Sequence, residues 1–124
     1  MPRFYFQETA ALPFGPADCV EAARRTLTEM GSTPTISGYE LNAKLGSQLK
    51  MRIVGGAWCP VKWLPIEIAV RVLDYGHGRQ VVVNVAERMG FGIMFWMEDR
   101  YRSHCQNTAV FVRNTIAGRL AYGL

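Results

Sequence analysis

The sequence has little of what most catalytic and metal-binding motifs require. It holds two histidines, His77 and His104, and three cysteines, Cys19, Cys59 and Cys105. Three cysteines cannot all pair within one chain, no CxxC occurs, and two histidines give no ligand spacing for a metal. No metal and no cofactor is therefore expected. The GxSxG, HExxH, P-loop and GxGxxG patterns are all missing. Gly90-Phe91-Gly92 lacks a third glycine and follows no βαβ unit. No run of ~18 apolar residues exists, so no integral membrane segment is expected. Met1-Pro2-Arg3-Phe4 shows neither a long apolar stretch nor a small-residue cleavage site, and the reading is a soluble, cytoplasmic chain without a signal peptide. Cys19 and Cys105 fall inside helical patterns and read as small buried hydrophobes in a reducing compartment.

What is present suits one α+β domain over residues 1–124. The chain is 49% hydrophobic and 19% charged, with mean hydropathy +0.02, and its 12 Gly and 6 Pro do not amount to low complexity, so one core and no disorder follow. Arg3-Phe4-Tyr5-Phe6-Gln7 reads as a first strand, broken by Leu12-Pro13-Phe14-Gly15. Pro16 suits a first helical position. Val20, Ala23, Leu27 and Met30 then form one apolar stripe, and Gly31 closes a helix of about Pro16 to Met30.

The period then changes to two. Thr35-Ile36-Ser37 is a short strand. Tyr39, Leu41, Ala43 and Leu45 share one face of the next, ahead of a Gly46-Ser47 hairpin. Leu49, Met51 and Ile53 alternate with Lys50 and Arg52, and Val54 to Trp63 is a loop or a bulged strand. Leu64, Ile66, Ile68, Val70 and Val72 give a long apolar face. Tyr75-Gly76-His77-Gly78 turns the chain, and Val81, Val83 and Val85 continue that face. The last helix runs from Glu98 to Tyr122, with Tyr101, Cys105, Thr108/Ala109, Val112, Ile116 and Leu120 on its stripe. It would be about 37 Å long, against about 40 Å for a strand from Leu64 to Tyr75. One helix thus matches the apolar face of a sheet that has no other cover of that size.

The order β-α-β(4-5)-α, with a bent antiparallel sheet wrapped around a long C-terminal helix, resembles the helix-grip, TBP-like arrangement. The START and Bet v 1-like (SRPBCC) lipid-binding proteins are its larger representatives. The resemblance covers nearly the whole chain and is one of topology, without a signature motif. The chain departs from it in having one helix where those proteins have two, and in being shorter. The resemblance implies a hydrophobic pocket between the last helix and the sheet.

Two segments are dense in large apolar side chains and flanked by glycine: Gly55 to Trp63, with Trp58 and Trp63, and Phe91 to Met97, with Met94, Phe95, Trp96 and Met97. Together with Tyr101 they suit the mouth of such a pocket. The same residues equally suit a plug at the sheet end or a dimer face. Arg100 and Arg102 can clamp an anionic headgroup through bidentate donors, or pair with Glu98, Asp99 or Glu87. The charge balance of 14 basic to 10 acidic residues gives +4. The basic residues Lys44, Lys50, Arg52, Arg71 and Arg88 of the outer sheet face are interleaved with no aromatics except Tyr75 at a strand end, so nucleic acid is not an expected partner.

No catalytic residue is assigned. Neighbours on a helix, His104 and Cys105 diverge by about 100° and make no dyad on their own. His77, Glu98 and Asp99 read as turn and capping residues. The first strand carries three successive aromatics, Phe4-Tyr5-Phe6, and one edge needs protection, which points to a homodimer. The expected function is therefore the binding of a hydrophobic or amphipathic small molecule between the last helix and the sheet. Trp58, Trp63, Phe95, Trp96, Tyr101 and Arg100 form the expected site. A ligand-free homodimer is the alternative, and a cyclase- or hydrolase-like enzyme using the same cavity the weakest reading.

Overall fold

The computed structural model describes residues 5–12, 14–46, 65–74, 79–87 and 98–122, with backbone alone for 98–101 and 122. The expected strand around Leu49–Ile53, the loop Val54–Trp63 and the turn Tyr75–Gly78 lie outside the described residues. Five strands and two helices are described: β1 (Tyr5–Leu12), α1 (Pro16–Glu29), β2 (Thr35–Ser37), β3 (Glu40–Leu45), β4 (Ile66–Asp74), β5 (Arg79–Glu87) and α2 (Glu98–Tyr122). They form one antiparallel sheet in the order β1-β5-β4-β3-β2.

Helix α1 starts and stops for local reasons. Gly15 is the N-cap in extended conformation, and Pro16, which has no N–H to leave unpaired, takes the first turn. At the far end Gly31 adopts φ +97°. Its N–H donates to the Thr28 carbonyl at 3.0 Å, and the Ser32 N–H reaches the Leu27 carbonyl at 3.2 Å. That pair of bonds is the Schellman arrangement, which satisfies carbonyls the helix leaves open. The buried stripe is centred on Cys19, Ala22, Ala23, Thr26 and Leu27, while Val20 and Met30 pack at its margin. Thr26 hides its hydroxyl by donating to the Ala22 carbonyl at 2.8 Å.

The first strand continues past the aromatic Arg3–Gln7 stretch as far as Leu12, where the expected break begins. Ala10 and Ala11 have weak strand propensity, but each pairs with β5 in an unbroken register from Tyr5↔Ala86 to Leu12↔Arg79. Tertiary pairing outweighs local preference here. Glu8 also disguised the alternation. It sits on the inward parity, where Arg113 of α2 meets its carboxylate at 3.5 Å. Tyr39 differs from expectation. It does not share the face of Leu41 but occupies the two-residue turn with Gly38 (φ +60°), half exposed, and its carbonyl accepts the Val72 N–H at 2.9 Å.

On β4 and β5 the alternation is as expected. Ile66, Ile68, Val70, Val72, Val81, Val83 and Val85 are buried on one face, and Glu67 and Arg71 lie on the other. Cys105, Ala109, Val112 and Ile116 of α2 belong to the same core. The long helix does not cover this face alone, however. It packs on β5 and β1, while α1 packs on β4 and β3 and against α2. The small side chains of Cys19, Ala22 and Ala23 suit α1 to this close approach, so the apolar width of the sheet is divided between two helices.

Truncating Ile116 to Ala, with no solvent path to relax into, should cost about 2–5 kcal/mol in urea unfolding. Gly31→Ala places a side chain in left-handed backbone and should cost about 1–2 kcal/mol in the same assay. A loss below experimental error for either would contradict the packing or the cap described.

Candidate functional site

Inward-facing positions of β5 are Val81, Val83 and Val85, and the same parity carries Glu87 inward as well. Glu87 is only 6% exposed. In the sheet it stands in one row with Ile66 and Leu45, at the end where β3 and β5 finish and β4 begins. Across from it on α2 the fully buried Cys105 feels its charge, and Thr108, a turn further along the helix, is also buried. Burial first, and the Glu87 charge second, push the Cys105 thiol up to about 12. This end of the helix–sheet interface thus holds a carboxylate and a thiol. Neither Glu87 nor Arg102 is without an interaction.

The rest of the interface is closed. Ala109, Val112 and Ile116 are fully buried against the sheet, and the Glu8–Arg113 ion pair lies along its β1 side. Space for a ligand therefore has to be sought at the Glu87 end. The chain leaves the described sheet there at β5 and re-enters at α2; it also leaves at β3 and re-enters at β4.

Of the residues expected at the site, Trp58, Trp63, Phe95 and Trp96 lie outside the described residues. Arg100 and Tyr101 are placed on the first turn of α2 by their backbone alone. Glu87, Cys105 and Thr108 are what the structure adds. Glu87 was detectable in principle: continuing the valine parity of β5 by one more step puts its carboxylate on the buried face.

The described side chains offer little nucleophilic chemistry. Cys19, whose thiol lies 4.0 Å from the Phe14 carbonyl, is held above its ordinary value by burial and then by the neighbouring Asp18, against an opposing pull from Arg79. His104 is held below its ordinary value by burial. A protonated thiol is a poor nucleophile. Among the described residues, no three His, Cys, Asp or Glu side chains are placed to hold a metal ion, and no helix is long and apolar enough to cross a membrane.

A separate groove of about 270 Å³ opens between the start of α1 and the end of α2, lined by Phe14, Asp18, Glu21, Ala22, Arg25, Arg119 and Leu120. Its cations are largely engaged. Arg119 bonds Glu29, and Glu21 bonds Arg24 at 2.6 Å and meets Arg25 at 3.8 Å. It is not the helix–sheet interior that the sequence pointed to.

No protein-family model matches this chain, and neither does any curated protein. Solved structures do. The chain is similar to Ara h 8.0201 over 95% of its own length and 97% of that chain, with 11% identity and a TM-score of 0.60. It is also similar to TTHA0849 from Thermus thermophilus, over 96% of its length and 98% of that chain, with 8% identity and a TM-score of 0.53. The architecture is a Bet v 1-like helix-grip fold, with an antiparallel sheet, a long C-terminal helix and, among the described residues, one further helix. At such identities the likeness is one of fold.

Two consequences are measurable. Because folding holds His104 below its usual 6.5, the unfolded chain binds the extra proton more readily, and this contribution is present above that value and lost as pH falls below it. The urea midpoint should drop between pH 7.5 and 5.5, and His104→Gln should lessen the drop; an undiminished drop would refute the assignment. Cys105, shifted upward, keeps its contribution up to about pH 9 and loses it toward about 12. Iodoacetamide at pH 8 should accordingly spare Cys105 in the folded protein and label it in urea, as read by peptide mass mapping.

Proposed function

We propose that this protein binds a single hydrophobic or amphipathic small molecule between α2 and the inner sheet face, at the end marked by Ile66, Glu87 and Cys105. The observation that carries this reading is the placement of buried polar groups. Glu87 and Cys105 lie close enough for the charge of one to act on the other, at one end of an interface whose centre is closed by Ala109, Val112 and Ile116. A pocket of that character, apolar with a few convergent polar groups, is the usual form of a small-molecule site. Similarity to helix-grip structures supports it at the level of fold.

In this reading the apolar body of the ligand lies against Ile66 and the aromatic side chains, and a hydroxyl or amine of the ligand donates to Glu87. Trp58, Trp63, Phe95, Trp96 and Tyr101 supply apolar contact, and Arg100 meets an anionic group at the mouth. The protonated thiol of Cys105 favours binding over nucleophilic catalysis. A cytoplasmic setting suits a chain whose two described cysteines are free. The second reading, a ligand-free homodimer, draws on Tyr5, which is 55% exposed on the edge strand β1.

Titration with 1-anilinonaphthalene-8-sulfonate, followed by probe emission and tryptophan quenching, tests the proposal. Saturable one-to-one binding is expected. Trp58→Ala should weaken it about tenfold, the equivalent of one lost apolar contact of roughly 1.4 kcal/mol, with little change in Tm. Absent saturation, together with a dimer that Tyr5→Lys dissociates in sedimentation, would replace this reading with the second one.

A further inference from the structure

A second recess, of about 240 Å³, lies at the other side of the sheet edge, between the connection leaving α1 and strand β3. It is lined by Ser32, Thr33, Thr35, Asn42 and Lys44. Three hydroxyls, one carboxamide and one ammonium meet there, and no carboxylate is among them. Asn42 and Lys44 occupy the parity opposite to the buried Leu41 and Ala43, so the recess is independent of the helix–sheet interior.

Its geometry follows from the elements around it. The Schellman cap that ends α1 turns the chain at Gly31 and delivers Ser32 and Thr33 in succession. Thr35 then pairs with Asn42 across β2 and β3, which brings its hydroxyl beside the carboxamide, with Lys44 two residues further along the same face. Among the described residues, none of these five side chains has a hydrogen bond or ion pair to another side chain. Glu67 stands opposite Lys44 in β4, and no ion pair within 4 Å joins the two, which leaves the ammonium able to turn toward the recess. The α1–α2 groove, by contrast, carries charges of both signs that are largely paired.

We propose that this recess binds a phosphate monoester group. Unengaged donors of fixed spacing around one cation match an oxyanion with several acceptor oxygens, and charge-assisted bonds of this kind are the stronger ones. Hydroxyl and carboxamide groups fix orientation, and Lys44 supplies the charge as a point cation. The +4 balance of the whole chain favours approach of such an anion.

The test is a titration of the full chain with inorganic phosphate at constant ionic strength, followed by backbone amide shifts. Saturable shifts in residues 32–35 and 42–44 are expected, with chloride producing none. Lys44→Met should weaken binding about tenfold, as loss of one charge-assisted bond does, Lys44→Arg should restore most of it, and Thr33→Val should weaken it about threefold. Lys44 is exposed, so these variants leave the fold intact, which their Tm verifies. Vesicles of phosphatidylcholine with and without phosphatidic acid distinguish the source: Lys44-dependent cosedimentation assigns the phosphate to a lipid headgroup, and its absence alongside phosphate binding assigns it to a soluble ester. Non-saturating shifts equal to those with chloride, or wild-type affinity in Lys44→Met, overturn the proposal.

Discussion

The structure depends on the contact between one stripe of the C-terminal helix and the inner face of β5 and β1. Cys105, Ala109, Val112 and Ile116 are spaced at helical intervals and all are fully buried against a sheet that alternates throughout β4 and, apart from the buried Val82, through β5. The hydrophobic gain from this contact is non-directional, but its two periodicities are not. A helix of period 3.6 and a strand of period two can share one interface only when each keeps its apolar positions in phase. Remove that contact and β1, an edge strand of mixed polarity, loses its cover on one side.

Along the middle of the helix Ala109, Val112 and Ile116 are fully buried, and Arg113 meets Glu8 beside them. Toward its start the helix instead faces a row ending in Glu87, and the polar groups there are hidden from water. The outward recess around Lys44 is of a different character: it sits on the solvated parity, and its donors are unengaged with one another.

Much of this architecture was legible in the sequence, and the reasons are physical. Pro16 and Gly31 bracket α1 because one residue lacks a donor and the other tolerates positive φ. The bounds Glu98–Tyr122 of α2 coincide with the span of its apolar stripe, and β4 and β5 kept the parity their valines and isoleucines announced. What failed to show was tertiary in origin. The Ala10-Ala11 end of β1 becomes strand only because β5 is beside it. Tyr39 reads as a face residue until the turn claims it. The division of the sheet between two helices rests on small residues, Cys19, Ala22 and Ala23, which announce a close approach but not its target. Of the candidate site, Trp58, Trp63, Phe95 and Trp96 lie outside the described residues, while the burial of Glu87 is hard to read from sequence because charge at a strand end ordinarily marks an exit from the core.

The most direct measurement is a methyl–methyl NOE spectrum of isotope-labelled protein. The account predicts cross-peaks from Val112 and Ile116 to the valine methyls of β5, with the helix methyls shifted away from random-coil positions. Helix methyls at solvent-like shifts, without a single contact to Val81, Val83 or Val85, would contradict it.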